Sequence, residues 1–179
     1  MLKNQKNLKF LFIVFCFSIF SSISQTNEDI PFNNISIYET PKSISSAIFE
    51  DFLGNKINLK NYQGKLIIVN FWATWCAPCK EEMPSLDLLY QNNLFKNLEV
   101  LAVNIEKINR IKTKKFFLDL KIKKLPIFFD NELNLTKEFQ LRGVPTTILI
   151  NQNGKAFAKI IGSIDFQNKK FIKWLSKYD

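Results

Sequence analysis

Apolar residues along the chain alternate between short continuous runs and stretches with a helical repeat, which predicts strands alternating with helices. Two continuous runs, 65–71 (KLIIVNF) and 98–105 (LEVLAVNI), are typical of strands buried on both faces of a sheet. Between them, from position 78 to about 91, apolar side chains recur on one helical face. The pattern therefore predicts a strand–helix–strand unit in the middle of the chain.

The same alternation continues towards the carboxyl end and begins weakly before residue 65. A short strand is predicted at 46–51, before the turn signal Gly54-Asn55, whereas 26–44 is polar and mixed. The later elements are a helix at 111–120, a short strand at 126–129, a short helix at 133–139, strands at 146–150 and 156–161, and a helix from about 166. Strands that alternate with helices in this way predict an α/β sandwich around a mixed sheet.

The start of the chain has the pattern of an export signal. Lysines precede the apolar run 10–20 (FLFIVFCFSIF), and small residues lie just before Gln25. The run is shorter than the roughly 20 residues that span a bilayer as a helix. We expect residues 1–24 to be a signal peptide or a signal anchor, 25–44 a linker and 45–179 the folded domain. The domain would then lie in the periplasm, free or anchored to the inner membrane.

Composition removes whole classes of chemistry. The chain has no histidine, which excludes Ser-His-Asp hydrolases, Cys-His proteases and zinc hydrolases. Its three cysteines cannot form a four-thiolate zinc site, and we expect neither a metal nor another cofactor. The net charge is +9, and loss of the leader leaves 22 basic and 16 acidic residues, or +6. Because arginine and aromatic residues are not interleaved, no nucleic-acid partner is expected.

The chemistry is concentrated in the sequence WCAPC at 75–79, where a predicted strand ends and a helix starts. Cys76 falls at or just before the first helical turn, where free backbone N–H groups and the helix dipole stabilise a thiolate. Pro78 is compatible with that first turn. Cys79 follows one turn later and deeper, with the higher expected pKa. One sulfur can attack a disulfide, and its neighbour can resolve the product.

Two segments carry a resemblance to a known family, namely 69–84 (VNFWATWCAPCKEEMP) and 143–155 (GVPTTILINQNGK). Together they resemble thioredoxin-like thiol–disulfide oxidoreductases of the TlpA/ResA/CcmG (DsbE) group, with TlpA the nearest match. The resemblance implies a thioredoxin fold, in which a central mixed sheet is flanked by helices. It also implies an N-terminal strand extension and a helix–strand insertion, here 109–130.

The resemblance further implies an exported or membrane-tethered reductant of disulfides. Its expected substrates are exported proteins with a disulfide, such as apocytochrome c or the copper-site protein of cytochrome oxidase. A membrane thiol donor is expected to reduce the enzyme again after each cycle.

Individual roles follow from the same match. Cys76 is expected to be the attacking thiol and Cys79 the resolving thiol. Pro145 matches the cis-proline that faces the cysteine pair, and the backbone of Val144 would then pair with an extended substrate. A plain strand-start proline is the alternative for Pro145.

Partner contact is expected around the two cysteines. Trp75, Ala77 and Pro78 are the residues expected to provide it, with Trp75 on an exposed apolar rim. Trp72 is expected in the core.

The source of the proton for the resolving thiol is open. Thioredoxin carries a buried aspartate on the strand before its motif, and Asn70 occupies that position here. Glu106 ends the second long strand at the same sheet edge and is one candidate acid, a solvated loop residue being the alternative. Glu82 fits the CxxE pattern of the family, but it could instead only complement the helix dipole.

Other functions remain compatible with the motif. Two thiolates could hold Cu(I), although copper proteins of similar fold add a histidine. The same motif could serve an oxidase that donates disulfides, because direction depends on reduction potential. A peroxidase of this superfold needs a threonine three residues before its cysteine, where this chain has Ala73.

Overall fold

Residues 30–179 are described by a computed structural model, and the predicted signal segment lies outside them. The strands are β1 (Ile35–Ser43), β2 (Ile48–Asp51), β3 (Lys56–Asn58), β4 (Leu66–Trp72), β5 (Leu98–Asn104), β6 (Ile127–Phe129), β7 (Thr146–Ile150) and β8 (Lys155–Ile161). The α-helices are α1 (Ala77–Tyr90), α2 (Arg110–Asp119), α3 (Asn134–Glu138) and α4 (Lys169–Leu175). Short 3-10 turns occupy Leu59–Tyr62 and Ser176–Tyr178.

All eight strands form one mixed sheet in the order β1-β8-β7-β4-β5-β6-β2-β3. The central strand β4 runs parallel to β5 and antiparallel to β7. Every residue of β4 is buried, as its continuous apolar run predicts for a strand covered on both faces. The carboxyl end of this strand leads directly into the cysteine motif.

The sheet separates two apolar layers, and β4 contributes to both because its side chains point alternately to the two faces of the sheet. Leu66, Ile68 and Trp72 pack with the buried faces of α1, α2 and α4. Ile67 and Val69 pack in the layer that holds α3. Since side chains alternate along a strand, Asn70 has the parity of Ile68 and Trp72 and points towards the α1 layer.

The structure confirms the thioredoxin-like α/β fold and its helix–strand insertion. Within 109–130, α2 is followed by β6, which extends the sheet parallel to β5. The prediction of a linker over 25–44 is wrong for its second half, because β1 pairs antiparallel with β8. Most side chains of β1 are exposed, so backbone hydrogen bonds rather than buried apolar side chains hold the strand at the sheet edge. A strand held in this way has little of the alternating apolar pattern by which the sequence would reveal it.

Two further elements differ from the prediction. The short strand β3 forms a hairpin with β2 around Gly54, whose φ of +96° suits glycine at this turn. The last helix begins at Lys169 rather than near 166, because Asn168 caps it by accepting from the N–H groups of Lys170 and Phe171.

Candidate active site

The two cysteines of the motif lie at the junction of β4 and α1. Cys76 is the N-cap of α1 and forms a disulfide with Cys79, their Cα atoms 5.3 Å apart. The backbone N–H of Cys79 donates to Sγ of Cys76 at 3.2 Å. An N–H group directed at this sulfur, together with the helix dipole, favours negative charge on Cys76 when the disulfide is reduced.

The two cysteines are buried, whereas the residues next to them are exposed. Trp75 is 66% exposed, and Ala77 and Pro78 are exposed beside it. Cys76 retains 3% exposure, whereas Cys79 has none. Cys76 is therefore the only cysteine of the pair with any exposed surface, and exposed residues lie on both sides of it in sequence. Trp72, by contrast, is fully buried and stacks on Phe116.

A cleft of about 690 Å³ opens beside the motif, with Pro78 on one wall and the loop before β7 on another. The peptide bond between Val144 and Pro145 is cis. Among the described residues, no group forms a hydrogen bond with the backbone of Val144. The N–H and C=O of Val144 are thus available to an extended chain in the cleft.

Glu82 lies in the interior of the protein, 2% exposed, on the first turns of α1. Its carboxylate accepts from Nδ2 of Asn70 at 2.8 Å and from the N–H of Ile164 at 3.3 Å. Burial raises the pKa of Glu82 to about 7, against the opposing effect of these two hydrogen bonds. A residue with that pKa is largely uncharged below neutrality, so it differs from a solvated acid that complements the helix dipole.

Glu106 braces the loop that precedes the cysteines. Its carboxylate accepts from the N–H and Oγ1 of Thr74 at 2.5 and 2.9 Å, and from Asn104 at 3.3 Å. Lys112 completes the set with an ion pair at 2.9 Å. Partial burial acts to raise the pKa of Glu106, but these hydrogen bonds outweigh it and hold the pKa below its usual value. Glu106 is therefore ionised at neutral pH and bound to the active-site loop, unlike a freely solvated loop acid.

Replacing Glu106 by alanine should lower the free energy of unfolding by about 2–3 kcal/mol, because buried donors on the loop lose a charged acceptor. Urea unfolding of the oxidised protein measures this loss. Lys112→Met is the matched control, since it removes only an ion pair whose lysine is half-exposed, and it should cost less than about 1 kcal/mol. Equal losses in the two variants would show that the ion pair, rather than the bonds to Thr74, carries the effect.

The sequence predicted the cysteine pair, the cis bond at Pro145 and two candidate acids, but it did not indicate the polar residues that bind the side chains of Glu106 and Asn70. Nothing in the local pattern marks Thr74 as a partner of Glu106, since the two are 32 positions apart. Thr147, which accepts from Nδ2 of Asn70 at 2.9 Å, was equally hidden. Such contacts join segments that are far apart in sequence, so a spacing rule along one element cannot detect them.

Comparison with known proteins agrees with this geometry. A model of the AhpC/TSA family matches residues 42–157. The chain belongs to this family. Thiol-disulfide oxidoreductase ResA of Bacillus cereus is 34% identical to it over 121 residues, which are 68% of this chain and 69% of that protein. The chain is accordingly a thiol–disulfide oxidoreductase of the ResA type within the AhpC/TSA family.

Two solved structures share the fold. StoA from Bacillus subtilis superimposes with a TM-score of 0.61 at 27% identity, over 75% of this chain and 98% of that one. A DsbF homologue from Corynebacterium diphtheriae superimposes with a TM-score of 0.68 at 21% identity, over 83% and 95%. The second likeness is one of fold only.

Proposed function

We propose that this protein reduces disulfides in exported protein partners. One observation carries the proposal: Cys76, the only residue of the pair with exposed surface, lies at a helix N-terminus beside a cleft whose Val144 backbone has no partner among the described residues. A partner chain that extends along Val144 would bring its own disulfide to Cys76. The export signal predicted at 1–24 supports exported partners.

The reaction transfers two electrons in two exchanges. The thiolate of Cys76 attacks one sulfur of the partner disulfide, a mixed disulfide forms, and the other partner sulfur leaves as a thiolate that takes up a proton. The thiolate of Cys79 then attacks Sγ of Cys76. The internal disulfide forms, and the second partner sulfur leaves and is protonated. The partner is reduced, and the cysteine pair is oxidised.

We assign Glu82 as the proton acceptor for Cys79 in the second exchange. The two residues are three positions apart on α1 and share a helical face. A carboxyl whose pKa lies near 7 can take the thiol proton and return it when the pair is reduced again. Asn70 holds the carboxyl in place but does not titrate.

The physiological setting proposed here is cytochrome c maturation or assembly of the copper site of cytochrome oxidase. Apocytochrome c or the oxidase copper-site protein would be the substrate, and a membrane thiol donor would reset the disulfide. The protein would act in the periplasm, free or held at the inner membrane by residues 1–24. Within residues 30–179, no helix is long and apolar enough to cross a membrane.

A trapping experiment tests this proposal. Cys79→Ala should attack a partner through Cys76 and then remain attached to it, because the resolving thiol is gone. Isolation of the adducts from the exporting cell, followed by mass spectrometry, should identify an exported protein bound through one of its own cysteines. Cys76→Ala/Cys79→Ala is the matched control and should capture none. Adducts confined to cytosolic proteins would contradict the proposal.

The opposite direction of transfer, an oxidase that donates disulfides, is tested by the reduction potential of the pair. A potential well below that of the glutathione couple is expected for a reductant. A potential well above it would assign the oxidase role. A peroxidase has less in its favour. Cys76 forms a disulfide with Cys79, three residues later, and the position three residues before Cys76, where such a peroxidase needs threonine, is occupied by buried Ala73.

A further inference from the structure

The cleft beside the cysteine motif is lined by more positive than negative side chains. Lys42 of β1, Lys159 of β8 and Arg142 before the cis-proline all line it, and Glu138 is the one carboxylate among the lining residues. Three cations and one anion give the cleft a net charge of +2. The protein thus concentrates positive charge beside the site where a partner chain would lie.

These cations are not neutralised within the part of the chain that the structure describes. Lys42 lies with Nζ 4.9 Å from the ring centre of Tyr38, and Lys159 donates to the carbonyl of Phe139 at 3.3 Å. Neither of them, nor Arg142, forms an ion pair in residues 30–179. The carboxylate of Glu138 instead accepts two hydrogen bonds from Ser45, one from the backbone N–H at 2.8 Å and one from the hydroxyl at 2.5 Å.

The electrostatics at Lys159 agree with this arrangement. Burial lowers its pKa, and repulsion from Arg142 and Lys42 lowers it further. Lys159 is therefore close enough to Arg142 and to Lys42 to be repelled by both. A negative group placed among them would relieve that repulsion and would be attracted by all three.

The shape of the cleft favours an extended chain over a small anion. Half-buried Tyr38, Phe139 and Val144 give it apolar surface, and its volume of about 690 Å³ far exceeds one carboxylate or phosphate. Its lining includes Pro78, inside the cysteine motif, as well as Val144 and the three cations. A chain bound there could bring its disulfide to the cysteine motif and acidic side chains next to that disulfide to the cations.

We propose that the preferred substrates are protein segments in which the target cysteine is flanked by acidic residues that bind Lys42, Arg142 and Lys159. This inference rests on the proposed reductase function and adds to it the charge of the partner. Paired charges across an interface steer encounter and select among partners more than they raise affinity. The preference should therefore appear in the rate of the first exchange and weaken with salt.

Three disulfide-cyclised peptides test this, identical except that the residues flanking one cysteine are aspartate, serine or lysine. Each rate of reduction by the reduced protein is measured after acid quenching and divided by the rate with the uncharged thiol dithiothreitol. At low salt we expect the aspartate peptide to react at least about 10-fold faster than the lysine peptide. In 0.5 M salt the ratio should fall below about 3-fold.

Lys42→Glu/Arg142→Glu should reverse the order of the two charged peptides. Lys170→Glu/Lys173→Glu is the matched control, because it changes net charge equally on exposed positions of α4, which packs on the other layer of the sheet. It should keep the order of the wild type. Circular dichroism and the reduction potential of the cysteine pair verify that both variants are folded.

The outcomes separate the two proposals. If the wild type reduces the serine peptide but shows no difference between the charged ones, the charge inference is wrong and the reductase function stands. If no peptide is reduced, the reductase function itself is wrong. If Lys42→Glu/Arg142→Glu loses binding to phosphatidylglycerol vesicles while the peptide rates stay unchanged, the cations serve a membrane surface and the inference is again overturned.

Discussion

Replacing Cys76 by serine should abolish turnover of disulfide substrates, with a fall of at least about 1000-fold. The hydroxyl cannot form a mixed disulfide, and Cys79 cannot substitute because it has no exposed surface. Turnover is measured with a disulfide-bonded protein substrate and an excess of dithiothreitol, with the uncatalysed reaction subtracted. After this subtraction, no turnover is expected for Cys76→Ser.

Cys79→Ser is the control that separates attack from resolution. This variant retains Cys76 at the helix N-terminus, so, once reduced and freed of dithiothreitol, it should consume one equivalent of substrate disulfide and stop as the mixed disulfide. Retained multiple turnover in Cys76→Ser would show that the attacking sulfur has been assigned to the wrong cysteine. If Cys79→Ser consumes one equivalent of substrate disulfide and Cys76→Ser consumes none, then Cys76 performs the first exchange and Cys79 the second.

Replacing Glu82 by glutamine should stabilise the oxidised protein above neutrality while slowing its chemistry. The pKa of Glu82 is about 7 in the folded protein, against an ordinary value of 4.5. The folded state therefore holds this proton where the unfolded chain has lost it. Stability from Glu82 is complete below about pH 4.5 and is lost as pH rises to about 7, by roughly 3 kcal/mol at most.

Urea unfolding between pH 4 and pH 8 measures that loss. In Glu82→Gln this part of the pH dependence should be absent, so the variant should be the more stable protein at pH 8. Glu81→Gln is the matched control, since Glu81 is the exposed neighbour on the same turn and should leave the profile unchanged. A profile of Glu82→Gln that overlays the wild type would show that this carboxyl does not titrate near neutrality.

The same variant tests the assigned proton transfer. Loss of a positioned base costs roughly 100-fold or more in the step that it serves. The resolving step of Glu82→Gln should therefore be slow and should lose its dependence on pH around 7. The formation of the mixed disulfide, which Cys76 performs, should keep nearly its full rate, and rapid-quench analysis separates the two steps.

Cys76 illustrates how much of the site could be predicted from local sequence. A strand-like run followed by WCAPC places the cysteine at a helix start, and the structure has it as the N-cap of α1. Glu82 illustrates the limit. Its spacing from Cys79 is visible in the sequence, but its depth depends on the sheet above α1 and on Asn70 of β4. Its pKa could not be predicted because burial is a property of the packed layers.

The sequence by itself determined the order of the elements from β4 onwards, the burial of the central strands β4 and β5, and the position of the two cysteines. These features follow from hydrophobic periodicity and short-range backbone preferences, which act over a few residues. Only the tertiary structure decided that β1 joins the sheet edge beside β8 and that Lys42, Arg142 and Lys159 meet in one cleft. Edge pairing and charge clustering depend on segments about 100 residues apart, and no local pattern encodes which of them will meet.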